Sequence, residues 1–136
     1  MELTIGKQCE ISKTITTEDI DAFMNLSGDR NPIHHDIEFA KRTFFRRPIA
    51  HGLISASLIS TGLTKLMGSG NLWLSQNLKF EKPVYVGDTV VAHLKILEID
   101  SSKKCKIETI ITNQKGKEVI TGFAESMLMH VRKPKQ

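Results

Sequence analysis

The stretch SGDRNPIHHD, residues 27–36, gathers two aspartates, an asparagine and two histidines around one proline. Asp29 and His34 stand five residues apart. In an unbroken strand that spacing puts them on opposite faces, and in an unbroken helix they diverge, so only a bend brings them together. Pro32 supplies one, because Asn-Pro favours a turn and the proline holds Asn31 extended. A carboxylate and an imidazole that share a pocket suffice for general acid–base chemistry, one activating water and the other handling a proton on the substrate. The plainer alternative is a polar turn in which Asp29 bonds backbone amides and His34 lies at the surface. A metal site fits less well than either. His34 and His35 are adjacent and point apart, and no HxH or HxxxH spacing brings a third ligand. No metal and no cofactor is expected, and His35 reads as a neighbour without a role.

A second feature lies sixteen residues beyond the motif, where His51-Gly52 opens a long apolar segment after Pro48-Ile49-Ala50. A helix N-terminus carries unpaired N–H groups and a partial positive charge, a setting that stabilises an oxyanion or a polarised carbonyl. Glycine there lets a ligand approach the backbone closely. A space-saving glycine at an ordinary helix start reads equally well from the residues alone.

The elements that must position these groups follow from pattern. TTEDIDAFMNL, residues 16–26, predicts a short helix with Thr16 and Asp19 at capping-box spacing and Gly28 as its stop. A second short helix begins near Asp36. HGLISASLISTGLTKLMGSG has no charged residue from Gly52 to Thr64 and is apolar on every side of the helical wheel, so it belongs inside the fold; Gly68-Ser69-Gly70 ends it. From residue 71 the period changes to two. Leu72, Leu74, Leu78 and Phe80 are expected on one face, with Gln76 the odd polar member among them. TVVAHLKILEI, KCKIETIITNQ and KEVITGFAESMLMHV read as further strands, the last two a hairpin through Lys115-Gly116, and LTIGKQCEISKTI as an N-terminal strand. The expectation is one α+β domain over residues 1–136, an antiparallel sheet wrapped around one long helix, with a basic tail at about 132–136. A short sheet does not cover a helix on all sides, so dimerisation would help to bury the remainder.

Composition excludes several function classes. Hydrophobic residues at 40% and charged residues at 25% are those of a globular domain, and no apolar run is long enough to span a membrane. The N-terminus shows no secretory signal. Two cysteines without CxxC spacing, Cys9 and Cys105, point to reduced thiols in a cytoplasmic setting. The net charge of +4 is partly in the tail and partly in KRTFFRRP, residues 41–48. Nucleic acid is not the expected partner, since aromatics reach only 6% and form no RNA-binding strand motif. A solvated face or a dock for a phosphate-bearing small molecule suits the cluster better.

GDRNPIHHD, RPIAHG and KPVYVGD occur in this order, and with these three motifs the chain resembles the MaoC-like, (R)-specific enoyl-CoA hydratases from about residue 5 to 130. The resemblance implies a hot-dog fold and a homodimer whose sheets join. It also implies reversible hydration of a trans-2-enoyl thioester, carried by CoA or acyl carrier protein, to the (R)-3-hydroxyacyl thioester. Carried over by position, Asp29 and His34 match the catalytic pair, Asn31 the asparagine that orders the site, and Gly52 the amide that binds the thioester carbonyl. Ser60 matches a serine near the aspartate, and His51 belongs to the motif in a structural role. Arg46 and Arg47 are candidates for the anionic end of the substrate. Two alternatives share the fold: a hot-dog acyl-CoA thioesterase, which normally lacks the D-x-N-P-x-H segment, and a non-catalytic acyl-thioester-binding subunit.

Overall fold

The computed structural model describes residues 2–135. Its elements run in the order β1 (Gln8–Thr14), α1 (Thr17–Ser27), a 3-10 turn (Pro32–His34), α2 (Ile37–Lys41), α3 (Gly52–Met67), β2 (Asn71–Gln76), β3 (Lys79–Phe80), β4 (Thr89–Ile99), β5 (Lys104–Thr112) and β6 (Glu118–Leu128). The strands form one sheet in the order β1-β4-β5-β6-β2, with β3 also on β6, and every pairing is antiparallel. This is the expected α+β hot-dog arrangement, a curved sheet holding one long helix. Among the described residues no helix is long and apolar enough to cross a membrane.

The period-two pattern of the central strands explains why the sheet closes on α3. Val90, Ala92, Leu94 and Ile96 of β4 are buried, as are Cys105, Ile107, Thr109 and Ile111 of β5. From the helix, Ile59, Leu63, Leu66 and Met67 are at most 1% exposed, in the same core. Burying each such side chain stabilises the fold by about 1.5–3 kcal/mol relative to exposure. The helix is nevertheless not enclosed on every side. Leu53, Ser57, Ser60, Thr61 and Thr64 form an exposed stripe, so small hydroxyl residues take the face that this chain leaves uncovered.

Helix α1 starts as its spacing predicts. The Thr16 hydroxyl accepts from the Asp19 amide at 3.2 Å, and the Asp19 carboxylate accepts from the Thr16 amide at 2.8 Å. Gly28 ends the helix in the left-handed region at φ 80°, its N–H bonded to the Met24 carbonyl. Ile20 and Met24, one helical turn apart, pin α1 to the core.

The strand after α3 departs from expectation. It is two pieces, not one, and a register shift between Trp73 and Ser75 interrupts its alternation. Leu72, Trp73, Leu74 and Phe80 are all exposed, so of the expected apolar face Leu78 packs against the core of this chain and the others do not. Gln76 turns inward instead. Its amide donates to the Thr109 hydroxyl at 2.9 Å and to the Asn77 carbonyl at 2.8 Å, while its oxygen accepts from the Trp73 indole at 3.2 Å. Thr109 is fully buried, and no other side-chain bond to its hydroxyl is formed among the described residues.

This pairing generates a test. Gln76→Leu strands a buried hydroxyl and should destabilise the fold by about 1–3 kcal/mol in urea unfolding. Adding Thr109→Val to that variant should recover most of the loss, because an orphaned polar group costs more than an apolar pair of the same shape. Simple additive losses would refute the pairing.

Candidate active site

The chain between α1 and α3 builds the site. Beyond Gly28, the Asn31 amide donates to Asp29 Oδ1 at 3.1 Å, and the Ile33 amide donates to Asn31 Oδ1 at 3.2 Å. Asn31 thereby caps the 3-10 turn whose first residue is Pro32, and this turn is the bend that the Asp29–His34 spacing requires. Asp29 is both a turn residue and a free one. One carboxylate oxygen holds the Asn31 amide, and the other has no protein partner among the described residues. Asp29 and Asn31 are exposed in this chain, and His34 is half-buried.

His34 is oriented from behind. Its Nδ1 lies 2.7 Å from the Ile49 carbonyl oxygen, which can only accept, so Nδ1 carries the proton and donates. In the neutral ring the bare lone pair is therefore on Nε2. The Ile49 amide bonds back to the Ile33 carbonyl at 3.2 Å, and Ala50 donates to the Val84 carbonyl at 2.7 Å. The segment before α3 is thus fixed to the 3-10 turn on one side and to residues 82–88 on the other. The His35 ring lies at the surface, with Nε2 3.0 Å from the Arg30 carbonyl oxygen.

His51 occupies the centre. It is 4% exposed, its Nε2–H donates to the Asp29 carbonyl at 3.1 Å, and its ring stacks on His34 with centroids 3.7 Å apart. The Phe23 ring packs at 4.7 Å. Burial pushes the His51 pKa below that of an ordinary histidine, the neighbouring His34 adds to the effect, and the bond to the Asp29 carbonyl opposes it. The ring is therefore held neutral to lower pH than usual.

Gly52 is the first residue of α3, so its N–H has no carbonyl of that helix to bind. The reason for glycine here is more specific than open access. A side chain at this position would meet the Phe80 ring, with Cβ 2.6 Å from Phe80 Cδ1. Asp29, His34, His51 and Gly52 line one lobe of a cleft, about 200 Å³ in volume, together with Phe23, Leu53 and Phe80. His34, Gly52 and Phe80 also line an adjoining lobe of about 320 Å³, whose walls include Phe45, Ala50 and Val84. Phe23 and Phe80 carry no chemical signature in the sequence, and only the tertiary arrangement shows them at the site.

Three sequence candidates stand apart. Ser60 lies eight residues along α3 from Gly52, about 12 Å at the helical rise, on the exposed stripe and outside both lobes. Arg47 places its guanidinium 3.9 Å over the Tyr85 ring, and Arg46 is exposed; neither lines these lobes.

Asp29, His34 and His51 each bring a donor atom within 4.8 Å of the others, a metal-like grouping that the sequence spacing does not suggest. The stacked imidazoles, tilted by only 27°, hold their lone pairs in nearly parallel planes, a poor arrangement for one ion to meet both. The grouping suits proton transfer better than coordination.

The lowered His51 pKa sets a pH dependence. Between that value and about 6.5, the ordinary histidine pKa, the unfolded chain binds a proton that the folded chain does not. The contribution is complete above that window and is lost as pH falls through it. Melting temperature should therefore drop from pH 7.5 toward pH 5, and His51→Asn should flatten that dependence. Equal slopes in both proteins would refute the buried neutral ring.

Comparison with known proteins identifies the family of the chain. The family model described as "MaoC like domain" matches residues 3–120. An (R)-specific enoyl-CoA hydratase of Aeromonas caviae is 40% identical over 124 residues, covering 90% of this chain and 92% of that protein. One of the same name from Rhodospirillum rubrum is 40% identical over 124 residues, covering 90% and 86%. The solved structure of an (R)-hydratase from A. caviae involved in PHA biosynthesis superposes with a TM-score of 0.90 at 38% identity, covering 93% of this chain and 98% of that one.

Proposed function

The chain belongs to the MaoC-like domain family, and from that premise we infer that it is a lyase adding water reversibly across a trans-2-enoyl thioester, giving the (R)-3-hydroxyacyl thioester. The substrate is an acyl thioester of CoA or of acyl carrier protein. The observation that carries the site assignment is the placement of Asp29, His34 and Gly52 around one lobe, with His34 Nδ1 tied to the Ile49 carbonyl so that Nε2 is the bare nitrogen.

The mechanism follows from those groups. The Gly52 N–H, at the positive end of α3, donates a hydrogen bond to the thioester carbonyl oxygen and stabilises the enolate-like charge that develops there. This makes C3 electrophilic. Asp29 and His34 hold one water between them. Asp29 takes a proton from that water as its oxygen bonds to C3, and the pair returns a proton to C2 on the same face. The two groups act as one unit, with His51 and Asn31 holding their geometry. No cofactor is required. Arg46 and Arg47 lie outside both lobes and are candidates only for an anionic group that reaches beyond the cleft.

The same reading includes a homodimer in a cytoplasmic setting. Support for the setting is the pair of unpaired thiols, Cys9 and Cys105. Support for the dimer is the outer edge of β2, where Leu72, Trp73 and Leu74 are exposed beside the uncovered stripe of α3. An edge strand with this much apolar surface is a template for pairing. A second copy joined along β2 gives twice the chain mass in light scattering, and Trp73→Glu should shift that mass toward the monomer. A wild-type protein that scatters as a monomer would remove the dimer from this reading.

Incubation with crotonyl-CoA tests the activity through loss of the conjugated double bond and chiral analysis of the product. Asp29→Asn and His34→Ala should each lower kcat by about 10²–10⁴-fold with the circular dichroism unchanged. Activity retained in both variants would remove the pair from the mechanism, an (S) product would contradict the assignment, and release of free acid would point to a thioesterase.

A further inference from the structure

We propose that Phe80 sets acyl-chain selectivity by dividing the cleft into an acyl lobe and a pantetheine lobe, a role that rests on the hydratase reading above. Phe80, His34 and Gly52 are the residues that both lobes share, so the lobes meet where the chemistry occurs. The ring stands where a side chain on residue 52 would be, so it packs directly against the start of α3. Its backbone is fixed. Phe80 pairs with Ile120 of β6, Lys79 pairs with Thr121, and the Glu81 amide donates to the Val119 carbonyl at 2.8 Å. Yet Phe80 is 55% exposed, too much for core packing to account for so large an apolar ring at this place.

The reaction geometry decides which part of the substrate takes which lobe. The thioester carbon sits at the Gly52 N–H, and C2 and C3 must lie toward Asp29. Asp29 lines only the smaller lobe, so the acyl chain enters there, against Phe23, Leu53 and one face of Phe80. The sulfur and pantetheine arm leave through the larger lobe, whose lining includes Phe45 and Lys82, past the other side of the ring. Phe80 therefore supplies the wall that holds a short acyl chain in register with Asp29. Without the ring the two lobes merge. A short chain then loses its wall, whereas a longer one makes compensating apolar contacts along the enlarged space.

Phe80→Ala and Phe80→Leu test this through kcat/KM for crotonyl-CoA and trans-2-decenoyl-CoA. The decenoyl-to-crotonyl ratio should rise by about tenfold or more in Phe80→Ala and by less in Phe80→Leu, with the crotonyl loss mainly in KM. Gly52→Ala should impair both substrates, and adding Phe80→Ala should restore activity by about tenfold, because the clash partner is gone while the residue-52 N–H remains. Phe80→Leu reads the ratio even if Phe80→Ala does not fold. Equal losses on both substrates, or no rescue in the double variant, would overturn the partition while leaving the hydratase reading intact. A wild-type protein that hydrates neither substrate would overturn both.

Discussion

The hydrogen bond from His51 Nε2 to the Asp29 carbonyl joins two segments that are 22 residues apart in sequence, and the site exists because of it. On one side it holds the exposed loop that carries Asp29. On the other it stands immediately before the first residue of α3, whose inner face contributes many residues of the core. His34 is drawn into the same construction by the ring stack and by its own bond to the Ile49 carbonyl. An exposed loop alone could not hold a carboxylate and an imidazole to the tolerance that proton transfer demands. Anchoring both to the start of a core helix lends them its rigidity. The arrangement has a cost, since the buried His51 Nδ1 has no partner among the described residues. Such an orphan destabilises by about 1–3 kcal/mol, which a fold tolerates where function needs the geometry.

Helix α3 also explains how one apolar core serves a polar reaction. Its body is packed mainly against β4 and β1, while its first turn emerges at the cleft between the 3-10 turn and residues 82–88. In the proposed mechanism the amide at that first turn would be in place before substrate arrives, which is the condition for electrostatic stabilisation without reorganisation. The glycine at this turn admits the Phe80 ring, so the same small residue that starts the helix also shapes the walls beside it.

Much of this was legible in local pattern. The Thr16–Asp19 capping box, the stop at Gly28, the bend at Pro32 and the long apolar helix all depend on residues within a few positions of one another, and all appear as expected. The edge strand departs from its pattern because a bulge near Trp73 interrupts its alternation and, apart from Leu78, its apolar residues do not pack into the core of their own chain. Gln76 looked anomalous on that face only because its partner, Thr109, lies 33 residues away on another strand. Long-range contacts also hid His51's bond to Asp29, and Phe80 carries no reactive group to draw notice. Spacing within one segment cannot report on such pairs. Ser60 shows the limit in the other direction, for motif position suggests a place near Asp29, whereas within one chain it lies two turns of helix away on an open face.

The openness of Asp29 fits the proposed reaction better than it fits most acid–base sites. Hydration consumes water, so the base must have access to solvent at one oxygen while its other oxygen is fixed, and Asp29 has that division. The same water could in principle attack the thioester carbon and hydrolyse it. Position argues against that outcome. In the proposed mechanism Gly52 fixes the carbonyl at the junction of the lobes, and since Asp29 lines only the smaller one, the activated water would be held toward C3 and away from C1. A second copy covering β2 and the exposed stripe of α3 would exclude bulk solvent from the acyl side and strengthen every charge interaction within the cleft. Selection of hydration over hydrolysis would then be a matter of where one water is held, with no additional reactive group required.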